Sequence, residues 1–190
     1  MNSKRNFLIF PIILLFLVYF LIPSPRQAPP LPDSFRSTEP GDTVEIPGLY
    51  SYYTNLPREE VIAFYEKFYT RSSFLNLPFF TYRLNHPPEY VWTAIRPTVH
   101  SSYLEEIVIP FRESYIINGF EPQNDPFKKE GERPGSGFEI NGKEYKAKVT
   151  VLPIKSHPFV RIAVFAGIIL IISFLVGQLN YGPFRHRRLL

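Results

Sequence analysis

Cysteine is absent from the chain. Its absence excludes a disulfide-stapled fold, a thiolate metal centre, an iron–sulfur cluster and a cysteine nucleophile. The catalytic signatures G-x-S-x-G and S-x-x-K are missing, and Gly131, Gly135 and Gly137 match no phosphate-binding spacing. No N-x-[ST] sequon occurs, so glycosylation offers no cue. Acidic residues are missing from both ends: all 17 fall between Asp33 and Glu144.

What the ends carry is apolar. Residues 7–22, FLIFPIILLFLVYFLI, form 16 uncharged positions. As a helix they cover roughly 24 Å, a little short of the roughly 30 Å hydrocarbon layer. Flanking residues, local thinning and snorkelling by Lys4 and Arg5 make up the difference. Pro11 is expected near the helix start, where a lost donor costs least. A cleaved signal peptide is the alternative, but PSPRQAPPLP holds no A-x-A-like site and the apolar run exceeds the usual length. A signal anchor over 7–23 fits better. Residues 159–179, FVRIAVFAGIILIISFLVGQL, give about 31 Å of helix. Here Arg161 lies one turn inside, within snorkelling reach of the headgroups. A second span is therefore expected over 159–180.

Basic flanks set the orientation. Lys4 and Arg5 precede the first run, and Arg185, Arg187 and Arg188 follow the second. Cations beside a span tend to remain cytoplasmic. Two spans let both termini obey that tendency, leaving residues 24–158 outside the cytoplasm. Residues 23–158 carry a net charge of −2, and the overall +4 comes from the tails and Arg161. The basic balance thus reads as membrane topology, and no nucleic-acid partner is expected.

The expected order is a cytoplasmic tail at 1–6, the first span, a Pro-rich linker at 24–47, a domain at 48–155, the second span, and a basic tail at 181–190. Five prolines in 23–32 favour extended backbone, read as a stiff spacer. LYSYYT at 49–54 suits a strand. The segment NLPREEVIAFYEKFY suits a helix over 57–70: Pro57 fits the first turn and Glu59 and Glu60 favour the dipole. Val61, Phe64, Tyr65 and Phe68 would form its apolar face. Its polar face carries acids, so packing on a sheet is expected rather than lying on a bilayer. Residues 78–84 read as a strand, 86–97 lean towards helix, and 101–120 hold two strands separated near Pro110. Residues 121–137 read as an exposed loop. Asn141-Gly142 marks a hairpin turn, with Tyr145, Ala147, Val149 and Val151 on one face of the following strand. The expected fold class is α+β: two transmembrane helices flank a small extracytoplasmic domain with an antiparallel sheet of four or five strands and one or two packed helices.

Chemistry-bearing residues are few. His86, Glu89, His100 and Glu105 offer metal-ligand atoms, but H-x-x-E lacks the two-histidine helical pattern. Glu105 and Glu106 are strand neighbours and point to opposite faces, so they cannot act as a carboxylate pair. Ser101 and Ser102 follow His100 too closely to form a nucleophile–base pair. No cofactor and no enzymatic activity are expected. Aromatics make up 16% of the chain. Most should be core, while a surplus such as Tyr52, Tyr53, Tyr90 and Trp92 can form a binding face. In the second span Ala163-x-x-x-Gly167 is a small-residue face for helix contact.

The sequence reading is therefore a non-enzymatic, two-span membrane protein with both termini cytoplasmic. Its outer domain would bind a protein partner, or a second copy, in a membrane or envelope assembly. A tethered ligand-binding or sensory domain is the second reading. A hydrolase built on His86, His100 and the 105–113 carboxylates is the third.

Overall fold

The computed structural model describes residues 3–23, 27–43, 45–72 and 74–181. They divide into two units: Pro23–Lys155, and Met1–Ile22 with Ser156–Leu190.

The first unit is α+β. In chain order its regular elements are β1 (Phe35–Arg36), α2 (Pro40–Thr43), β2 (Tyr50–Thr54), α3 (Arg58–Tyr69), β3 (Tyr82–His86), α4 (Val91–Ala94), β4 (Tyr103–Ile109), β5 (Glu113–Phe120), β6 (Phe138–Ile140), β7 (Lys143–Tyr145) and β8 (Ala147–Lys155). Six strands form one antiparallel sheet in the order β1-β2-β8-β5-β4-β3. The centre is the long β5–β8 pair, registered from Glu113 opposite Lys155 to Phe120 opposite Lys148. The sheet exceeds the four or five strands expected.

The Asn141-Gly142 turn forms as read, with φ of 53° and 74°, joining β6 to β7 in a separate two-stranded ribbon. Pairing stops at Tyr145 opposite Phe138. The chain then enters the main sheet as β8, between β2 and β5. A strand hydrogen-bonded and covered on both sides buries residues of both faces: Val149, Thr150 and Val151 are all buried.

Helix α3 covers one sheet face. Its buried residues are Val61, Ile62, Tyr65 and Tyr69, and Tyr69 stacks on Tyr115 with ring centroids 3.5 Å apart. The expected face included Phe64 and Phe68, which are only half-buried. The helix is rotated because it also meets the chain before β1. The Tyr65 hydroxyl donates to Pro29 O at 3.3 Å, and the Tyr52 hydroxyl donates to Ala28 O at 3.0 Å. Ala28 and Leu31 are buried, and Phe35–Arg36 pair with Tyr53 and Tyr52. From Ala28 onward, the stretch read as a Pro-rich spacer is therefore part of the domain. It lies on the protein rather than crossing solvent, and it turns at Pro32-Asp33, where Asp33 takes a φ of 51°.

On the opposite face Val91 of α4 packs with Leu104 and Ile116, supported by Ala94, Ile95, Val99 and Leu152. The helical lean for 86–97 holds as a 3-10 turn at Pro88–Tyr90 running into α4. β3 starts later than read. Before it, Arg71 forms a bridge with Pro78, and the Phe79 N–H donates to Thr70 O at 2.7 Å.

In the second unit α1 spans Ser3–Leu21 and α5 spans Pro158–Tyr181. Because α1 begins at Ser3, Pro11 lies inside it rather than near its start; the proline removes one backbone bond there. Among the described residues one helix, Pro158–Gln178, is long and apolar enough to cross a membrane; α1 contributes a shorter apolar stretch, Phe10–Leu21.

Candidate functional site

β2 decides the fate of two candidate aromatics. Neighbouring strand residues point to opposite faces, and here both faces are covered. Tyr52 turns towards α3 and Tyr53 towards the other layer, where its ring lies 5.2 Å from Phe138 and 6.3 Å from Tyr145. Both are buried. Burial pushes both phenols above their ordinary value, and for Tyr53 the hydroxyl's bond to Glu39 Oε1 at 2.9 Å adds to the rise. They are core residues rather than a binding face.

The other two candidates are on the surface. Val91 is fully buried, which fixes the short helical segment and turns its neighbours outward: Tyr90 is 55% and Trp92 45% exposed. Trp92 lies beside Phe127 at 5.2 Å, and Tyr90 beside His86 at 6.1 Å. Phe127, itself 39% exposed, comes from the 121–137 segment, which is irregular apart from short 3-10 turns at Pro122–Asn124 and Glu130–Glu132.

Next to this layer the sheet carries a cleft of about 290 Å³, lined by charged, polar and apolar side chains. Register places Ser51, Tyr53, Asn118, Phe120, Lys148 and Thr150 on one face. Lys148 Nζ lies 2.6 Å from Asp42 Oδ2 and 2.7 Å from Glu39 Oε2, and Ser37 Oγ donates to the same Asp42 oxygen at 2.5 Å. Burial raises the Asp42 carboxyl, but hydrogen bonds from Lys148, Ser37 and Ser51 and the lysine charge outweigh it, holding the group below its ordinary value. Burial lowers the Lys148 ammonium, but its bonds to Asp42 and Glu39 outweigh that and hold it above its ordinary value. These charges satisfy one another. One group remains: Asn118 is buried, its Nδ2 donates to His100 O at 3.0 Å, and its Oδ1 has no hydrogen-bond partner among the described residues. Buried amide oxygens are normally paired, so this acceptor on the cleft lining could take a donor from a small polar ligand.

Sequence reasoning missed the cleft. It depends on Asp42 and Lys148, far apart in the chain and joined only through α2 and the β2–β8 register.

The metal and acid–base candidates do not converge. His86 Nε2 pairs with Glu106 Oε2 at 2.8 Å. Glu105 lies on the opposite face, buried, accepting from Arg58 Nε at 3.1 Å with Arg83 at 3.7 Å. His100 sits 3.8 Å from Asp125. Glu113 is registered opposite Ile109, at the other end of β4 from Glu105. Ser101 and Ser102 donate to the backbone carbonyls of Tyr103 and Glu121. No group of three or more His, Asp or Glu that could hold a metal ion occurs among the described residues.

Within the helical unit Phe20 meets Phe165 at 5.5 Å. Ala163 is exposed, and a Cβ built on Gly167 would meet nothing within 4 Å. The small-residue face is turned away from this aromatic contact.

Compared with family models, curated proteins and solved structures, the chain matches none.

Proposed function

We propose that this is a non-enzymatic, two-span membrane protein with both termini cytoplasmic, whose extracytoplasmic domain binds a protein partner in a membrane or envelope assembly. One observation carries this reading: Trp92, Tyr90 and Phe127 stay bared beside a segment whose Val91 is fully buried. Tryptophan and tyrosine are the residue types that most often dominate protein interfaces, and leaving them in water would be costly without a partner. Support for the topology comes from the apolar helix Pro158–Gln178, the apolar N-terminal run and the basic flanks.

The test is purification of the full chain in mild detergent after cross-linking in cells. A discrete partner, or a second copy, should be recovered with the native chain and lost with Trp92→Ala or Phe127→Ala. A monodisperse monomer that never cross-links would refute it. Protease added to sealed cells should cut residues 24–158; protection that ends only on permeabilisation would refute the topology.

A second reading, a tethered ligand-binding or sensory domain, is favoured by the cleft and the Asn118 acceptor. It predicts that a small polar ligand raises the melting temperature of the native chain and not of Asn118→Leu.

A further inference from the structure

The end of the sheet at which β8 finishes has an unusual surface. Glu113 pairs with Lys155, so the β4–β5 turn at 110–112 lies one strand, about 5 Å, from the last residue of β8. α3 runs from Arg58, bonded to Glu105, to Tyr69, stacked on Tyr115, so the 71–80 segment emerges at the same end. The two loops touch: the Arg112 guanidinium lies 4.4 Å from the centre of the Phe79 ring.

Their outward side chains are large and apolar. Leu75 is 75%, Phe80 74% and Phe111 68% exposed, joined by Phe74 and Leu77. Isolated exposed apolar residues are ordinary, but five on two touching loops are a patch. The backbone makes the choice of residue sharper. Leu75 and Phe111 both sit at positive φ, 55° and 60°. Glycine or asparagine takes that conformation at little cost, and a bulky residue there is an outlier. These turns carry leucine and phenylalanine at their most exposed points, where packing does not demand them. Residues 67–88, which include the first loop, contain no acid, and Arg71 lies exposed at its base.

The chain order ties this end closely to the apolar helix. Only Ser156 and His157 separate Lys155 from Pro158, where the apolar helix Pro158–Gln178 begins. Three Cα steps reach at most about 11 Å. We infer that the tips at 74–80 and 111 are a membrane-docking rim, inserting Leu, Phe and their backbone turns into the headgroup–acyl boundary of the bilayer that the C-terminal helix crosses. Phenylalanine and leucine partition into that boundary, and Arg71 suits anionic headgroups above it. This rests on the membrane-anchored reading proposed above.

The native chain lacks cysteine, so single labels are unambiguous. Leu75→Cys, Phe80→Cys and Phe111→Cys are each made in the full chain and labelled with an environment-sensitive fluorophore. The protein is reconstituted into phosphatidylcholine–phosphatidylglycerol vesicles containing acyl-chain nitroxide lipid. Leu170→Cys in the apolar helix and Lys129→Cys in the 121–137 segment are the references. The expected result is a blue-shifted emission and loss of fluorescence to the nitroxide lipid at all three rim positions, as at 170, with no loss at 129. Quenching at 170 with rim labels that behave like 129 overturns the rim and leaves the anchor standing. No quenching at 170 overturns the anchor and the rim with it. A blue shift at the rim without lipid quenching means a protein covers these tips, and also overturns the proposal.

Discussion

Lys148→Met tests the ion cluster that shapes the cleft. The side chain keeps its apolar stem and loses its charge. At 2.6 Å from Asp42 Oδ2, the gross attraction at an effective dielectric of about 20 is about 6 kcal/mol. Desolvation of both ions offsets much of this, so the net worth of the pair is small. Removing one partner is different, because Asp42, only 6% exposed, is left as a buried carboxylate without its cation. Such losses run to about 3 kcal/mol. The pH dependence separates this cause from lost packing. Asp42 is held below its ordinary value of 3.8, so its stabilisation is present above that value and fades as pH falls through the lower folded value. Lys148 is held above its ordinary 10.5, so its share is complete below that value and fades as pH rises through the higher folded value. The native pair therefore contributes steadily between those limits. In Lys148→Met, buried Asp42 can escape its penalty by taking a proton, so the destabilisation should shrink as pH falls from 7 towards 4. Asp42→Asn should cost less, because Lys148 keeps Glu39 at 2.7 Å, and the double variant should cost less than the sum. Thermal unfolding of the full chain in detergent, followed by near-ultraviolet circular dichroism, reads these differences. A loss for Lys148→Met under about 1 kcal/mol at pH 7, or one independent of pH, would refute the reasoning.

Three further substitutions probe the core by the same measurement. The Tyr69 hydroxyl is buried without a hydrogen-bond partner among the described residues, so Tyr69→Phe should be neutral or stabilising by up to about 1 kcal/mol; a clear loss would mean that the hydroxyl is paired. A Cβ on Gly119 would lie 1.9 Å from Tyr103 Cζ, in a buried ring that cannot easily move, so Gly119→Ala should cost about 2 kcal/mol and Tyr103→Leu in the same chain should recover part of it. Leu31 is 3% exposed, so Leu31→Ala should cost about 3 kcal/mol; a spacer residue would show no effect.

What was legible in the sequence followed from local chemistry. Pro57, Glu59 and Glu60 announce α3 because they satisfy the needs of a helix start, and Asn141-Gly142 announces its turn because both residues tolerate positive φ. What was not legible needed distant partners. The face of α3 is rotated by contacts with Pro29 and Ala28, from a segment whose prolines specify an extended backbone but not what it lies against. Tyr52 and Tyr53 read as surplus because a strand at a surface buries one of two neighbours, whereas β2 is covered on both sides. Tyr90 and Trp92 are exposed for a local reason: a double proline starts a short helical segment with one small apolar anchor, Val91, leaving its large neighbours outside. The Asp42–Lys148 cleft had no local signal at all.

The domain is polarised along its strands, which bears on the partner proposed above. β8 begins beside the cleft at Lys148 and ends at Lys155, beside the apolar loops. Its nine residues span about 30 Å. The 121–137 segment follows the end of β5 opposite Lys148, so Phe127 and its neighbour Trp92 belong to the cleft end. If the rim docks on a bilayer as proposed, the bared aromatics stand about a strand's length from the lipid. On that proposal a partner confined to the bilayer would not reach Trp92. The aromatic surface suits a protein with mass outside the membrane at that height, whereas a small-molecule ligand of the cleft would face no such restriction. Cross-links from position 92 should therefore fall in the extramembrane part of a partner; cross-links confined to its spans would contradict this arrangement.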